Sequence, residues 1–272
     1  CYGTTGPASA HPETGERYGL QFPQYTIRDM VAVHRLLAAH LGIQKIALGI
    51  GGSMGGQQLL EWACEEPERF ERIAAIATNA QHSPWGIAYN ASQRMALKAD
   101  PDFFTNHCDA GRNGLRAARA IALLSYRHYG TYATKQSDSD SSKTSGYSAD
   151  SYQQYQGDKL AQRFDAHSYY RLTQAMDSHH LGRHRTSIAW ALQRIRSKTL
   201  IIAIASDQLF PVEEQRLLSE HIPGAAFESV PSEHGHDGFL IETERIQDLV
   251  QHFLETNLIH TPNDCSVLNP CI

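Results

Sequence analysis

The sequence predicts an α/β protein, a mostly parallel sheet with helices on both faces and a helical insertion. Two observations carry that class. Short apolar runs, "KIALGI", "RIAAIAT", "KTLIIAIAS" and "AAFESV", alternate with segments of helical spacing at both ends of the chain, the rhythm of strand–helix–strand units. Between about His82 and Arg196 that rhythm stops, and over a hundred residues read as helical with no strand. The organisation that follows is a core of residues 1–81 and 197–272 interrupted by a helical cap at 82–196.

Residues 1–23 are rich in Gly, Pro, Ser and Thr and read as loop. In "TIRDMVAVHRLLAAHL", residues 26–41, Ile27, Met30, Val31, Val33, Leu36, Leu37 and Leu41 form one apolar helical stripe. Thr26 is placed to cap its start with Asp29 three residues on, and Gly42 to end it. "KIALGI" is a buried parallel strand. "GGQQLLEWACEEP" is a helix that stops before Pro67, and "RIAAIAT" (72–78) is the next strand. Within the insertion, "GLRAARAIALLSYRHYG" and "SYQQYQGDKLAQRFDAHSYYRLTQAM" have helical spacing. The polar tract between them, about 134–150, has too little apolar surface to order itself. After "KTLIIAIAS" come the helix "PVEEQRLLSEHI", the strand "AAFESV", the helix "ETERIQDLVQHFLETNL" and a polar tail after His260 that is expected to fray.

Composition excludes several classes. The net charge of −5 is spread over interspersed acids and bases with no Lys/Arg block, which speaks against a nucleic-acid or membrane-surface partner. No apolar run approaches the roughly 18–20 residues that span a bilayer. Five widely spaced cysteines (Cys1, Cys64, Cys108, Cys265, Cys271) form no disulfide framework or CxxC pair, so a reducing cytoplasm is expected. The 15 histidines include His179-His180 and His234-x-His236, but no metal-ligand spacing accompanies them, so no metal site is expected.

The chemistry gathers at "GIGGSMGGQQLLEW". Gly51-Gly52-Ser53-Met54-Gly55 fits G-x-S-x-G and lies between a strand and a helix, the context in which that motif presents a serine nucleophile on a strained turn. The alternatives are a phosphate loop or a plain packing turn. No GxxxxGK[ST] occurs, and the GxGxxG spacing is interrupted. The helix start offers the Met54 backbone N–H to a developing oxyanion. Serine needs a base and an orienting acid. In this kind of fold the chain order is Ser, then Asp or Glu, then His. Asp207 follows "LIIAIAS" at the carboxyl edge of the sheet, where open α/β sheets place their sites, although an N-cap before "PVEEQ" would also explain it. "SEHGHDGF" supplies His234 and His236, one a candidate base and the other a surface histidine.

At these residues the chain resembles the homoserine O-acetyltransferases, a branch of the α/β-hydrolase superfamily. The matching stretches are "YGTTGP", "FPQYTIRDMV", "GGSMGGQQLLEWA", "PERFERIAAIATNAQHSPWGIAYNASQRMAL", "SYQQYQGDKLAQRFDAHSYYRLTQAMD", "TLIIAIASDQLFP" and "GHDGFLIE". The resemblance implies Ser53 as nucleophile, Asp207 as acid and His236 as base, with His234 a bystander. It implies that Asp237 meets the homoserine ammonium, and that an arginine and a tyrosine seven residues apart line the site. Arg119 and Tyr126 have that spacing, with Arg116 as a rival for the arginine. A zwitterionic substrate calls for such a cation and anion. It further implies ping-pong transfer of acetyl from acetyl-CoA, a co-substrate, to L-homoserine on the route to methionine. No cofactor and a homodimer formed through the insertion are also implied. The family's strands before "YGTTGP", one of whose loops supplies a second oxyanion N–H, are not in this sequence, which suggests a fragment. Open alternatives are a succinyl-CoA or serine-directed acyltransferase, an esterase of the same superfamily, and an inactive fragment.

Overall fold

The structure is a computed structural model that describes residues 3–256. Cys1, Cys265, Cys271 and the tail after His260 lie outside the described residues. Four strands, β1 (Ile46–Gly52), β2 (Phe70–Ile76), β3 (Lys198–Ile204) and β4 (Ala226–Val230), make one parallel sheet in the order β1-β2-β3-β4. α1 (Ile27–His40) precedes β1, and α2 (Met54–Glu65) connects β1 to β2. Between β2 and β3 run α3 (Pro84–Ala99), α4 (Arg112–Tyr126), α5 (Tyr129–Lys135), α6 (Ser148–Ala161), α7 (Ala166–Asp177) and α8 (Ile188–Gln193). α9 (Val212–His221) connects β3 to β4, and α10 (Gly238–Ile241) and α11 (Thr243–Glu255) follow β4. The predicted α/β class is the observed one.

The sheet is parallel because each strand is followed by a helix long enough to carry the chain back. From Ile73 and Leu200 onward β2 and β3 are buried on both faces, which is why "IAAI" and "LIIAI" read as unbroken apolar runs. One face packs Leu60, Ala63, Ile73, Ile201 and Leu218 against α2, α8 and α9. The other packs Ile76, Leu200, Ile202 and Val230 against Phe253 of α11. The insertion has an apolar cluster of its own, with Leu97, Phe103, Leu115 and Leu160 at its centre. Its last stretch, Leu181 and Ala191 to Ile195, packs with the sheet instead.

One expectation needs correcting, and one element is covered at fewer positions than its apolar pattern offers. At α1 the predicted caps are present. Thr26 Oγ1 accepts from Asp29 N at 3.2 Å, Asp29 Oδ2 accepts from Thr26 N at 2.8 Å, and Gly42 takes φ +70°. The full apolar stripe is not buried, however. Ile27, Val31 and Ala38 are covered, whereas Val33, Leu36 (71% exposed), Leu37 and Leu41 face outward. Ion pairs also join α1 to α2, Arg28 with Glu61 (2.7 Å) and Arg35 with Glu65, and Arg35 reaches Glu66 just past the end of α2. β1 beside it is an edge strand on which Ile50 is 56% exposed, so nothing among the described residues covers that side. The polar tract at 134–150 is also more ordered than its composition suggests. The Asp138 carboxylate accepts from Lys143 Nζ, Ser148 N and Ser148 Oγ at 2.5–3.0 Å, which closes a ten-residue loop without an apolar core.

Candidate active site

The end of β1 shows why the motif needs its glycines. A Cβ on Gly51 would lie 2.4 Å from Gly55 O, and one on Gly52 would lie 2.6 Å from the Phe239 ring. Strand and helix can meet this closely only without those side chains. Between them Ser53 takes φ +53° and ψ −123°, a conformation most residues avoid. The turn is tied to the neighbouring strand. Ser53 N donates to Ile76 O (2.9 Å), and Ser53 O accepts from Thr78 Oγ1 (2.8 Å). Ala77, also at positive φ (+47°), donates its N–H to Ile202 O. Ser53 therefore stands at the carboxyl edge of the sheet, just ahead of the α2 N-terminus, where Met54 N–H is one of the donors with no partner inside the helix.

β3 and β4 deliver two more side chains to the same edge. Asp207 follows β3 and is buried. Its Oδ1 accepts from Leu209 N and Phe210 N, each at 2.9 Å, and its Oδ2 lies 2.7 Å from His236 Nδ1. His236, buried on a short 3-10 turn (Gly235–Asp237), presents Nε2 to Ser53 Oγ at 2.9 Å. A carboxylate only accepts, so Nδ1 carries the proton and Nε2 is left to accept from the serine hydroxyl. The turn leans on the end of α4. Gly235 is at φ +64°, and a Cβ there would lie 2.8 Å from Tyr126 O and Arg127 C. Three aromatic rings surround the imidazole, Phe210 at 5.0 Å, Phe239 at 5.2 Å and Tyr126 at 5.7 Å between centroids.

The insertion supplies the rest. Arg119 lies over the Tyr126 ring with its guanidinium carbon 5.4 Å from the centroid, while Arg116 pairs with Asp158 on α6. Burial, and next the Asp237 charge, push the Tyr126 hydroxyl up against the opposing pull of Arg119, so it is protonated and can donate at neutral pH. Burial likewise raises Tyr169, whose hydroxyl donates to Gln93 Oε1 at 2.6 Å. Asp237, which the resemblance assigns to the homoserine ammonium, has its Oδ2 2.8 Å from Arg127 Nη1. His234 makes no bond to Ser53, His236 or Asp207; its backbone N–H donates to Ser232 Oγ. Among the described residues no cluster of His, Cys, Asp or Glu has the arrangement of a metal site, and no helix is long and apolar enough to cross a membrane.

Ser53, Asp207 and His236 thus come from three separate parts of the chain to one hydrogen-bonded line, with Tyr126 and Asp237 beside it and Arg119 reaching only the Tyr126 ring. Sequence reasoning missed Thr78, Phe210 and Arg127. Each sits directly beside a named feature, after "RIAAIA", after "SDQL" and after Tyr126, yet nothing in residue type or spacing says that its side chain turns toward the site.

Known proteins resemble the chain along most of its length. The alpha/beta hydrolase fold family matches residues 2–243. A homoserine O-acetyltransferase of Chloroherpeton thalassium is 46% identical over 256 residues, covering 93% of this chain and 68% of its own. Among solved structures, esterase E22 superposes with a TM-score of 0.85 at 25% identity, over 93% of this chain and 73% of its own. A homoserine O-acetyltransferase from Bacillus anthracis superposes at 0.87, with 22% identity, over 93% and 71%.

Proposed function

The chain belongs to the homoserine O-acetyltransferase family of the alpha/beta hydrolase fold, and from that premise we infer that it transfers an acetyl group from acetyl-CoA to the hydroxyl of L-homoserine. The observation that carries this reading is the 46% identity along nearly the whole chain. The line from Asp207 through His236 to Ser53 supplies a chemistry consistent with it.

In our reading His236 Nε2 takes the Ser53 proton as Oγ attacks the thioester carbonyl. The oxyanion lies against Met54 N–H at the start of α2. The carbon–sulfur bond breaks, and His236 returns the proton to the departing thiolate of coenzyme A. In the second half-reaction His236 takes the homoserine hydroxyl proton, that oxygen attacks the acetyl-serine, and Ser53 leaves as the alcohol with the proton back on Oγ. Asp207 holds the imidazole in its tautomer and offsets its positive charge. Arg119 receives the substrate carboxylate, and Tyr126 donates a hydrogen bond beside it. Asp237 accepts from the ammonium. Proton and acyl transfers of this kind need no redox or metal cofactor.

The α/β core carries the reacting groups, and the helical insertion that follows β2 borders them through the end of α4 and limits the access of water to the acyl-enzyme. We propose that two chains pair through this cap, on which Met95, Leu124, Tyr129 and Tyr155 are exposed. Sedimentation should give a dimer that Leu124→Glu weakens, and a monomer at every concentration would refute the pairing. A cytoplasmic location rests on the sparse, unpatterned cysteines and is checked by cell fractionation.

The likeness to esterase E22 favours ester hydrolysis as the second reading. Purified protein is given acetyl-CoA with and without homoserine. Free coenzyme A produced continuously only with homoserine, together with O-acetylhomoserine, supports the transferase. Equal turnover without homoserine supports the hydrolase.

A further inference from the structure

We propose that Phe210 is a positioning residue for the general base, orienting Asp207 with its backbone and His236 with its ring. The proposal deepens the reading above and rests on His236 as the base. Phe210 is fully buried, three residues past Asp207. Its N–H donates to Asp207 Oδ1 at 2.9 Å, the oxygen that His236 does not use. Its ring lies on the imidazole of His236 at 5.0 Å and 27°, nearly face to face. Phe239 and Tyr126 approach the same imidazole at steeper angles, 60° and 38°. The Phe210 ring also meets His82, 5.8 Å away, whose imidazole burial pushes toward its neutral form. One residue thereby touches two of the three members of the hydrogen-bonded line.

Two physical effects follow. The imidazole becomes an imidazolium in both half-reactions, and an aromatic face within about 6 Å attracts a cation. The stack also restricts rotation of the imidazole, so Nε2 stays within 2.9 Å of Ser53 Oγ, where small displacements slow proton transfer. The first effect needs a ring at 210, because an aliphatic side chain can restrain the imidazole by packing but offers no aromatic face to its cation. The bond to Asp207 is made by the backbone N–H and not by the side chain, so substitution tests the ring.

The test uses the burst of p-nitrophenolate released from p-nitrophenyl acetate by wild type and by Phe210→Leu, Phe210→Met and Phe210→Tyr. Burst amplitude counts folded active sites, and burst rate reports the chemistry at each. Leu and Met are expected to keep the amplitude while slowing the rate about tenfold. Deacylation by homoserine should slow by a similar factor with its KM unchanged. Tyr, which keeps the ring, should return the rate to within about threefold of wild type. Leu and Met bursting at the wild-type rate, a loss confined to amplitude, or Tyr as slow as Leu would each overturn the proposal and leave Phe210 as packing. His236→Ala serves as the separate control. If that variant keeps the wild-type burst rate, the assignment of the base fails, whatever the Phe210 variants do.

Discussion

At the scale of single residues the site rests on positions that tolerate little change. Ser53→Ala removes the attacking oxygen, and turnover is expected to fall by about a million-fold, with no acetyl adduct on the tryptic peptide by mass spectrometry. Asp207→Asn presents an amide to His236 Nδ1 and favours the wrong tautomer, so kcat should drop about 10⁴-fold while the fold persists. A similar fold with undiminished kcat would refute the role assigned to Asp207. Gly51→Ala is a different kind of loss. Its Cβ meets backbone at Gly55 rather than a side chain that can swing aside, so the turn must deform. Soluble yield and melting temperature are expected to fall together with activity.

The elements differ in how much their apolar residues contribute. Leu60 on α2 is fully covered by the sheet, whereas Leu37 on α1 is 55% exposed. Leu60→Ala should cost about 2–5 kcal/mol in equilibrium unfolding, and Leu37→Ala less than about 0.5 kcal/mol. Equal costs would mean that the α1 face is covered in solution. The open edge of β1 and the outward leucines of α1 also form a surface prone to association. Leu36→Lys with Leu37→Glu should reduce concentration-dependent light scattering and leave turnover unchanged. The helical spacing of "TIRDMVAVHRLLAAHL" was legible, as were its two caps, because these depend on neighbours within four residues. Which side of the stripe is buried was not legible, because that depends on what packs beside β1. The same division holds at 134–150. Its composition is that of a disordered tract, yet Asp138 gathers Lys143 and Ser148 into a closed loop, an arrangement that depends on the exit of α5 and the entry of α6.

For the whole molecule the most exposed weakness is acid. Burial holds the His179 imidazole at about 4 against an ordinary 6.5, and its Nε2 lies 3.0 Å from Asn79 O behind the site. The unfolded chain takes up this proton near pH 6.5 and the folded chain only near 4. Between those values the unfolded state binds more protons, and stability falls as pH falls, by about 1.4 kcal/mol per unit for this group. Burial pushes His82 in the same direction. The urea midpoint should therefore drop between pH 7 and pH 5. His179→Asn, which keeps a donor for Asn79 O and cannot titrate, should flatten that slope, and an unchanged slope would rule His179 out as its source.

By itself the sequence determined the class of fold, the order of its elements, the turn at Ser53 and the candidacy of Asp207 and His236. All of these follow from local periodicity, from glycines beside one serine, and from chain order along a parallel sheet. Tertiary structure decided what distance in sequence hides. It turned Arg116, the rival of Arg119, toward Asp158 on α6, paired Asp237 with Arg127, and laid Phe210 on His236. The last two depend on how α4 and the His236 turn meet at Gly235 and on how the chain bends after β3, and the Arg116–Asp158 pair depends on how closely α6 meets α4 at Gly157. No pattern within a single segment encodes such contacts, because their energy comes from groups that only folding brings together.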